Sequence, residues 1–190
     1  KSGFGYIPVI SVNFSGLEKD ANPGFKLTPK ALIQVAYGVL LGDFIMQIHN
    51  QCRPYEVHKG DCDKAVDDLV RKISQDFAGD KFIRYKQVKM LYFLICKRFA
   101  QVELKDFGSK KKVGIVGEIY VKFSPLGNNN LEKFLLSEGT EPVLPGLLDF
   151  CLYCIYNGII DFNLYGRNAG NAAVMQAVYR FLLDKQKDMI

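Results

Sequence analysis

The chain has 190 residues, 48% of them hydrophobic and 24% charged, and a net charge of +5. That suits one globular domain, or one with a small appendage. The cationic excess is modest and dispersed, and its densest run (Lys110, Lys111, Lys112) reads as a solubilising flank to a strand, which argues against nucleic-acid binding.

From the N-terminus, residues 6–14 (YIPVISVNF) read as a β-branched strand in which Pro8 is tolerable only at an edge or a first position. Ser15-Gly16 ends it, and a polar loop with a Pro23-Gly24 turn follows. Thr28-Pro29 is a helix start, a hydroxyl cap with proline at the first helical position. This helix is expected to reach about Asn50. Leu32, Val35, Ala36, Val39, Leu40 and Ile48 are spaced for a wide buried stripe, and Gly38 and Gly42 share a face that permits close packing. Gln34, Gly38, Gly42, Asp43 and Gln47 interrupt its apolar run too often for a bilayer span. Arg53-Pro54-Tyr55-Glu56 breaks it. Helices are expected next over residues 63–77, with Val66, Leu69, Val70 and Ile73 inward, and over 85–102, with Val88, Leu91, Tyr92, Ile95 and Phe99 at helical spacing.

Residues 110–145 (KKKVGIVGEIYVKFSPLGNNNLEKFLLSEGTEPVLP) read as a strand, a long polar loop, a short helix over 131–138 stopped by Gly139, and a strand over 141–144. Residues 113–116 are apolar enough for a central strand covered on both faces, which would leave Glu118 partly desolvated at its end. A helix rich in aromatics and leucines opens at Pro145-Gly146 and reaches Tyr156 or beyond. Residues 157–171 carry no clear pattern, and 172–187 form a final amphipathic helix. The alternation of strand and helix predicts an α/β fold, a small parallel Rossmann-like sheet flanked by several helices. The organisation expected is a single α/β domain over residues 1–190 with a helical insertion at about 28–105. Because the chain does not begin with Met and a strand is expected within its first residues, it reads as a fragment of a longer multidomain protein.

Open α/β sheets place ligands at the carboxyl ends of their strands. The candidate site is therefore Asn13 and Ser15 after the first strand and Glu118 and Tyr120 after the second, with Arg53 nearby. Pro54 stiffens the turn that carries Arg53, and a stiff turn can aim a guanidinium at a carboxylate or phosphate. The alternative is an arginine that satisfies helix carbonyls and pairs with Glu56. Cys52 and Cys62 flank this break and read as the more exposed thiols; they are weak metal candidates without iron–sulfur ligand spacing. His49 and His58 bracket it too. They could share a metal with Asp61 or Cys62, or be two solvated loop-edge residues. Cys151 and Cys154 form a CxxC inside a predicted helix rather than at its start, which favours two buried, reduced thiols over a redox pair. Five irregularly spaced cysteines and no signal-peptide pattern argue for a reducing, cytoplasmic protein. No Ser-His-Asp order, HExxH or P-loop occurs.

Three segments, IPVISVNFSGLEKDANPGFKLT, NQCRPYE with its following KGD, and VGIVGEIYVKFSPLGNNNLEKFLLSEGTEPVLP, together resemble the dehydratase-component-like region of the large bacterial proteins related to 2-hydroxyacyl-CoA dehydratase activators. The likeness spans most of residues 7–145. It implies a Rossmann-like module of an assembly in which an activator uses ATP to deliver one electron to a dehydratase. The dehydratase then eliminates water from a 2-hydroxyacyl-CoA by radical chemistry. Within such an enzyme this chain would be a lyase-type component rather than the ATPase, since it lacks the activator's phosphate-binding motifs. The resemblance implies no cofactor in the isolated chain and allows a 4Fe–4S iron–sulfur cluster in the full-length protein. None of the five cysteines matches a cluster-ligand position. The partners implied are other domains of the parent chain or an ATP-dependent activator, with no nucleic acid and no membrane. Two functions follow. One is a dehydratase-component-like domain, inactive alone, whose strand-end site holds cluster or acyl-CoA jointly with other regions. The other is a non-catalytic interaction module that docks activator domains.

Overall fold

A computed structural model describes residues 28–79, 82–166 and 172–189. The chain divides into two compact units, Lys1–Ile33 and Gln34–Ile190. The strand expected over residues 6–14 lies outside the described residues. Seven α-helices, one 3-10 helix and two strands are described: α1 (Pro29–Cys52), a short 3-10 helix (Arg53–Tyr55), α2 (Asp61–Ala78), α3 (Tyr85–Phe99), β1 (Lys112–Gly114), α4 (Ile119–Phe123), α5 (Leu131–Ser137), β2 (Glu141–Val143), α6 (Leu147–Tyr165) and α7 (Ala172–Lys187).

Helix makes up 69% of the described residues, and the Rossmann-like α/β sheet expected from the alternation is not there. The two strands do pair in parallel, with Lys112 opposite Glu141, Val113 opposite Pro142 and Gly114 opposite Val143. Each has only three residues. The reason is burial. A central strand needs cover on both faces, yet Lys112 and Gly114 are exposed and Val116 is 82% exposed. Only Ile115 of the apolar run is buried, and its N–H still donates to the Val143 carbonyl at 2.9 Å.

The helices form where apolar spacing places them, but of α1, α2 and α3 only α3 buries the face expected. Thr28 caps α1, its hydroxyl accepting the Ala31 N–H at 3.2 Å. In α3 the buried residues are Val88, Leu91, Tyr92, Ile95 and Phe99, the five at helical spacing. In α1 the buried face instead comprises Tyr37, Leu40, Leu41, Asp43, Ile45, Asn50 and Cys52, and Val35 is 54% exposed. Gly38 and Gly42 do not serve close packing, because a Cβ at either would meet nothing within 4 Å. In α2, Cys62, Ala65 and Leu69 are buried while Val70 faces solvent.

Rings join α1 to α3: Tyr37 lies 5.8 Å from Tyr85, and Phe44 meets Tyr92 edge-on at 4.9 Å. The Gln34 side chain completes both hydrogen bonds of the Ile83 backbone, at 3.0 and 3.1 Å. Arg98 on α3 pairs with Asp68 on α2 at 3.0 Å. Helices α6 and α7 pack together, with Tyr156 and Tyr179 5.6 Å apart. The stretches Pro29–Tyr55 and Leu147–Tyr165 are long and apolar enough to cross a membrane by length and composition alone, a property that core helices share.

Candidate functional site

The strand-end site is built around Glu118. Gly117 turns the chain after β1 with φ 146°, a conformation that favours glycine. Glu118 is then the N-cap of α4, and its carboxylate accepts the Tyr120 N–H at 2.9 Å. It is exposed rather than desolvated, as the shortness of β1 requires. Tyr120, adjacent on α4, is 55% exposed. Asn13 and Ser15 lie outside the described residues. Arg53 does not join Glu118 and Tyr120; it lines a separate cleft to which neither belongs.

The loop after α4 holds itself together. Asn128 donates to the carbonyls of Val121 and Lys122 and accepts from the Leu131 N–H. Asn129 and Asn130 adopt φ of 54° and 57°, the left-handed region that asparagine tolerates. The three asparagines are thus explained by the turn. Gly127 sits against Tyr120, where a Cβ would come 2.9 Å from its carbonyl oxygen. Glu118→Gln keeps an acceptor at an exposed cap, so unfolding by urea should show a change within about 0.5 kcal/mol.

The cysteines reverse their expected exposure. Cys52 and Cys62 are buried, at 8% and 0%, while Cys151 is half-buried and Cys154 exposed. Burial first, then the Glu56 carboxylate, pushes the Cys62 thiol up to about 12. A bulky maleimide should therefore label Cys96 and Cys154 in the folded chain and spare Cys62 until unfolding. Rapid labelling of Cys62 would contradict its burial. The histidines do not share a site: His49 Nε2 lies 2.8 Å from Asp63, and His58 lies 3.9 Å from Glu103. Among the described residues no three His, Cys, Asp or Glu side chains gather as metal ligands. The cysteines described do not fit a 4Fe–4S cluster, which needs four converging thiolates.

The break after α1 is closely tied to the rest of the fold, and each of its four residues has a distinct task. Tyr55 is 3% exposed and plugs the turn into the interior. Its hydroxyl donates to Glu141 at 2.9 Å and accepts the Lys110 N–H at 3.2 Å. Burial first, then the bond to Glu141, pushes the Tyr55 phenol above its ordinary value. The Pro54 carbonyl accepts the Lys110 ammonium at 2.5 Å, which also lies 5.7 Å from the Tyr55 ring centre. Glu56 does not pair with Arg53. Its two oxygens accept the N–H groups of Gly60 and Cys62, each at 2.9 Å, and so cap α2. Arg53 instead donates to Asp63 at 3.4 Å. Spacing pointed to a stiff turn at Pro54, but the roles of Tyr55 and Glu56 rest on partners far along the chain or on backbone donors, which periodicity does not register.

These contacts frame an open cleft of about 460 Å³ between the turn, Lys110 ahead of β1, and α5. Arg53, Lys59, Lys110 and Lys133 line it together with Glu56 and Asp63. Both acids are already engaged, Glu56 by two backbone donors and Asp63 by Arg53 and His49. Cations outnumber carboxylates in its lining, and Arg53 and Lys110 are held in place at the turn. Compared with protein-family models, curated proteins and solved structures, the chain matches none.

Proposed function

We propose that the chain is a docking module of a 2-hydroxyacyl-CoA dehydratase-type system. It is related to the dehydratase component and inactive alone. It works in the cytoplasm with an ATP-dependent activator or with other domains of its parent chain. The three segments that resemble that system motivate the choice of partner. The observation that carries the docking role is the strand-end segment. Val116 is 82% exposed, Tyr120 55%, Val121 42% and Leu126 84%, four large apolar residues within eleven positions. Clustered exposed apolar residues mark interaction sites, whereas isolated ones are ordinary. Their backbone is fixed by Glu118, Asn128 and Gly127, so little ordering entropy is lost when a partner seats on them. A catalytic cleft at this strand end would enclose Glu118, and here it stands in solvent.

The test mixes the chain, without oxygen, with a purified ATP-dependent activator of a 2-hydroxyacyl-CoA dehydratase. A complex should form, and Val116→Asp should weaken it about tenfold. No complex, or one indifferent to Val116→Asp, overturns the docking role. Turnover of a 2-hydroxyacyl-CoA by the chain alone overturns its inactivity.

A further inference from the structure

We propose that the cleft beside the Arg53–Glu56 turn binds a small phosphorylated ligand. Three separate parts of the chain supply its cations: Arg53 and Lys59 flank the turn, Lys110 precedes β1, and Lys133 lies on α5. Folding brings four like charges to one concavity. With two carboxylates in the same lining, the cations remain in excess, and an anion would offset that excess. Glu56 is committed to the N–H groups of Gly60 and Cys62, and Asp63 to Arg53 and His49, so neither pairs with Lys59, Lys110 or Lys133.

Two features favour phosphate over a generic anion. Lys110 is fixed at both ends, its N–H on the Tyr55 hydroxyl and its ammonium on the Pro54 carbonyl. Arg53 spends one nitrogen on Asp63, which leaves further guanidinium donors in the fork geometry that suits phosphate oxygens. The volume, about 460 Å³, suits a small molecule. A nucleic-acid strand would need a continuing basic track, and the neighbouring Lys112 is turned to Glu141 at 3.4 Å instead. The inference stands apart from the docking role, because the cleft and the strand-end segment share no residue.

Isothermal titration of the chain with inorganic pyrophosphate at low ionic strength tests it. Saturable binding at one site is expected. Arg53→Gln and Lys110→Gln should each weaken it about tenfold, as the loss of one charge-assisted contact does. Lys133→Gln, an exposed change on α5, should weaken it severalfold with the fold intact by circular dichroism. Lys97→Gln, the same charge change on the exposed face of α3, should leave it unaltered. Four outcomes overturn the proposal: no saturable binding, an equal loss in Lys97→Gln, citrate displacing pyrophosphate at equal concentration, or a short RNA binding more tightly than pyrophosphate.

Discussion

Asp43→Ala should lower the unfolding free energy by about 2–4 kcal/mol, because it strips two backbone donors of their buried acceptor. Asp43 lies on α1 and is 6% exposed. Its oxygens accept the N–H groups of Leu147 and Leu148, at 2.9 and 2.8 Å, in the first turn of α6. A carboxylate there also meets the positive end of the α6 dipole. Gly146 makes the approach possible: a Cβ would fall 2.5 Å from the Asp43 carboxylate. Gly146→Ala should therefore destabilise comparably, although its φ of −67° suits any residue.

The pH dependence of this contact has a definite sign. Burial, the largest influence, raises the Asp43 carboxyl above its ordinary 3.8 despite the two donors, and Asp149 adds repulsion. The folded chain thus holds a proton that the unfolded chain has released. The contribution of this group to stability is greatest below 3.8, falls as pH rises through the raised folded value, and is level above it. Asp43→Asn keeps one acceptor and has no such slope. Urea midpoints of wild type and Asp43→Asn, compared from acid to neutral pH, should show wild type losing ground as pH rises. Parallel curves would mean that Asp43 titrates alike in both states.

What the sequence disclosed follows from the range of each interaction. Apolar spacing is local, and it located α2, α3, α5 and α7 to within a few residues at each end. It also placed strands near residues 113 and 141 in a parallel sheet, and that pair exists in miniature. Spacing misjudged the size of the sheet because an apolar run does not reveal whether both of its faces will be covered. Val116 is apolar and nearly bare. The cysteines inverted for a related reason. Cys52 and Cys62 flank a Pro-containing turn, which reads as surface, but the turn is anchored inward by Tyr55, and both cysteines are buried beside it. The candidate site was legible in part. Arg53 and the stiffness of Pro54 were readable, whereas Lys110 and Lys133 enter the cleft only through tertiary folding. Asp43 and Glu141 escaped notice because their partners lie about a hundred residues away.

Tyr55→Phe should cost about 2 kcal/mol of stability and loosen the cationic cleft in the same step. Glu141 is 2% exposed, so its carboxylate depends on the partners it has. These are the Tyr55 hydroxyl at 2.9 Å and the Lys112 ammonium at 3.4 Å. Lys112 has a largely exposed side chain and remains in the variant, which keeps the loss below that of an orphaned buried charge. Phenylalanine preserves the packing against Phe107, whose ring lies 5.2 Å away, so the loss isolates the hydroxyl. The Lys110 N–H loses its acceptor at the same time. Pyrophosphate affinity should therefore fall severalfold in Tyr55→Phe, although this hydroxyl touches no ligand. A double-mutant cycle with Glu141→Gln separates the two effects. Neutralising Glu141 in the Tyr55→Phe background should recover part of the lost stability, since the buried charge is gone. It should not recover pyrophosphate affinity, since Lys110 stays loose. Full recovery of affinity would show that Tyr55 acts through charge at Glu141 rather than by holding Lys110.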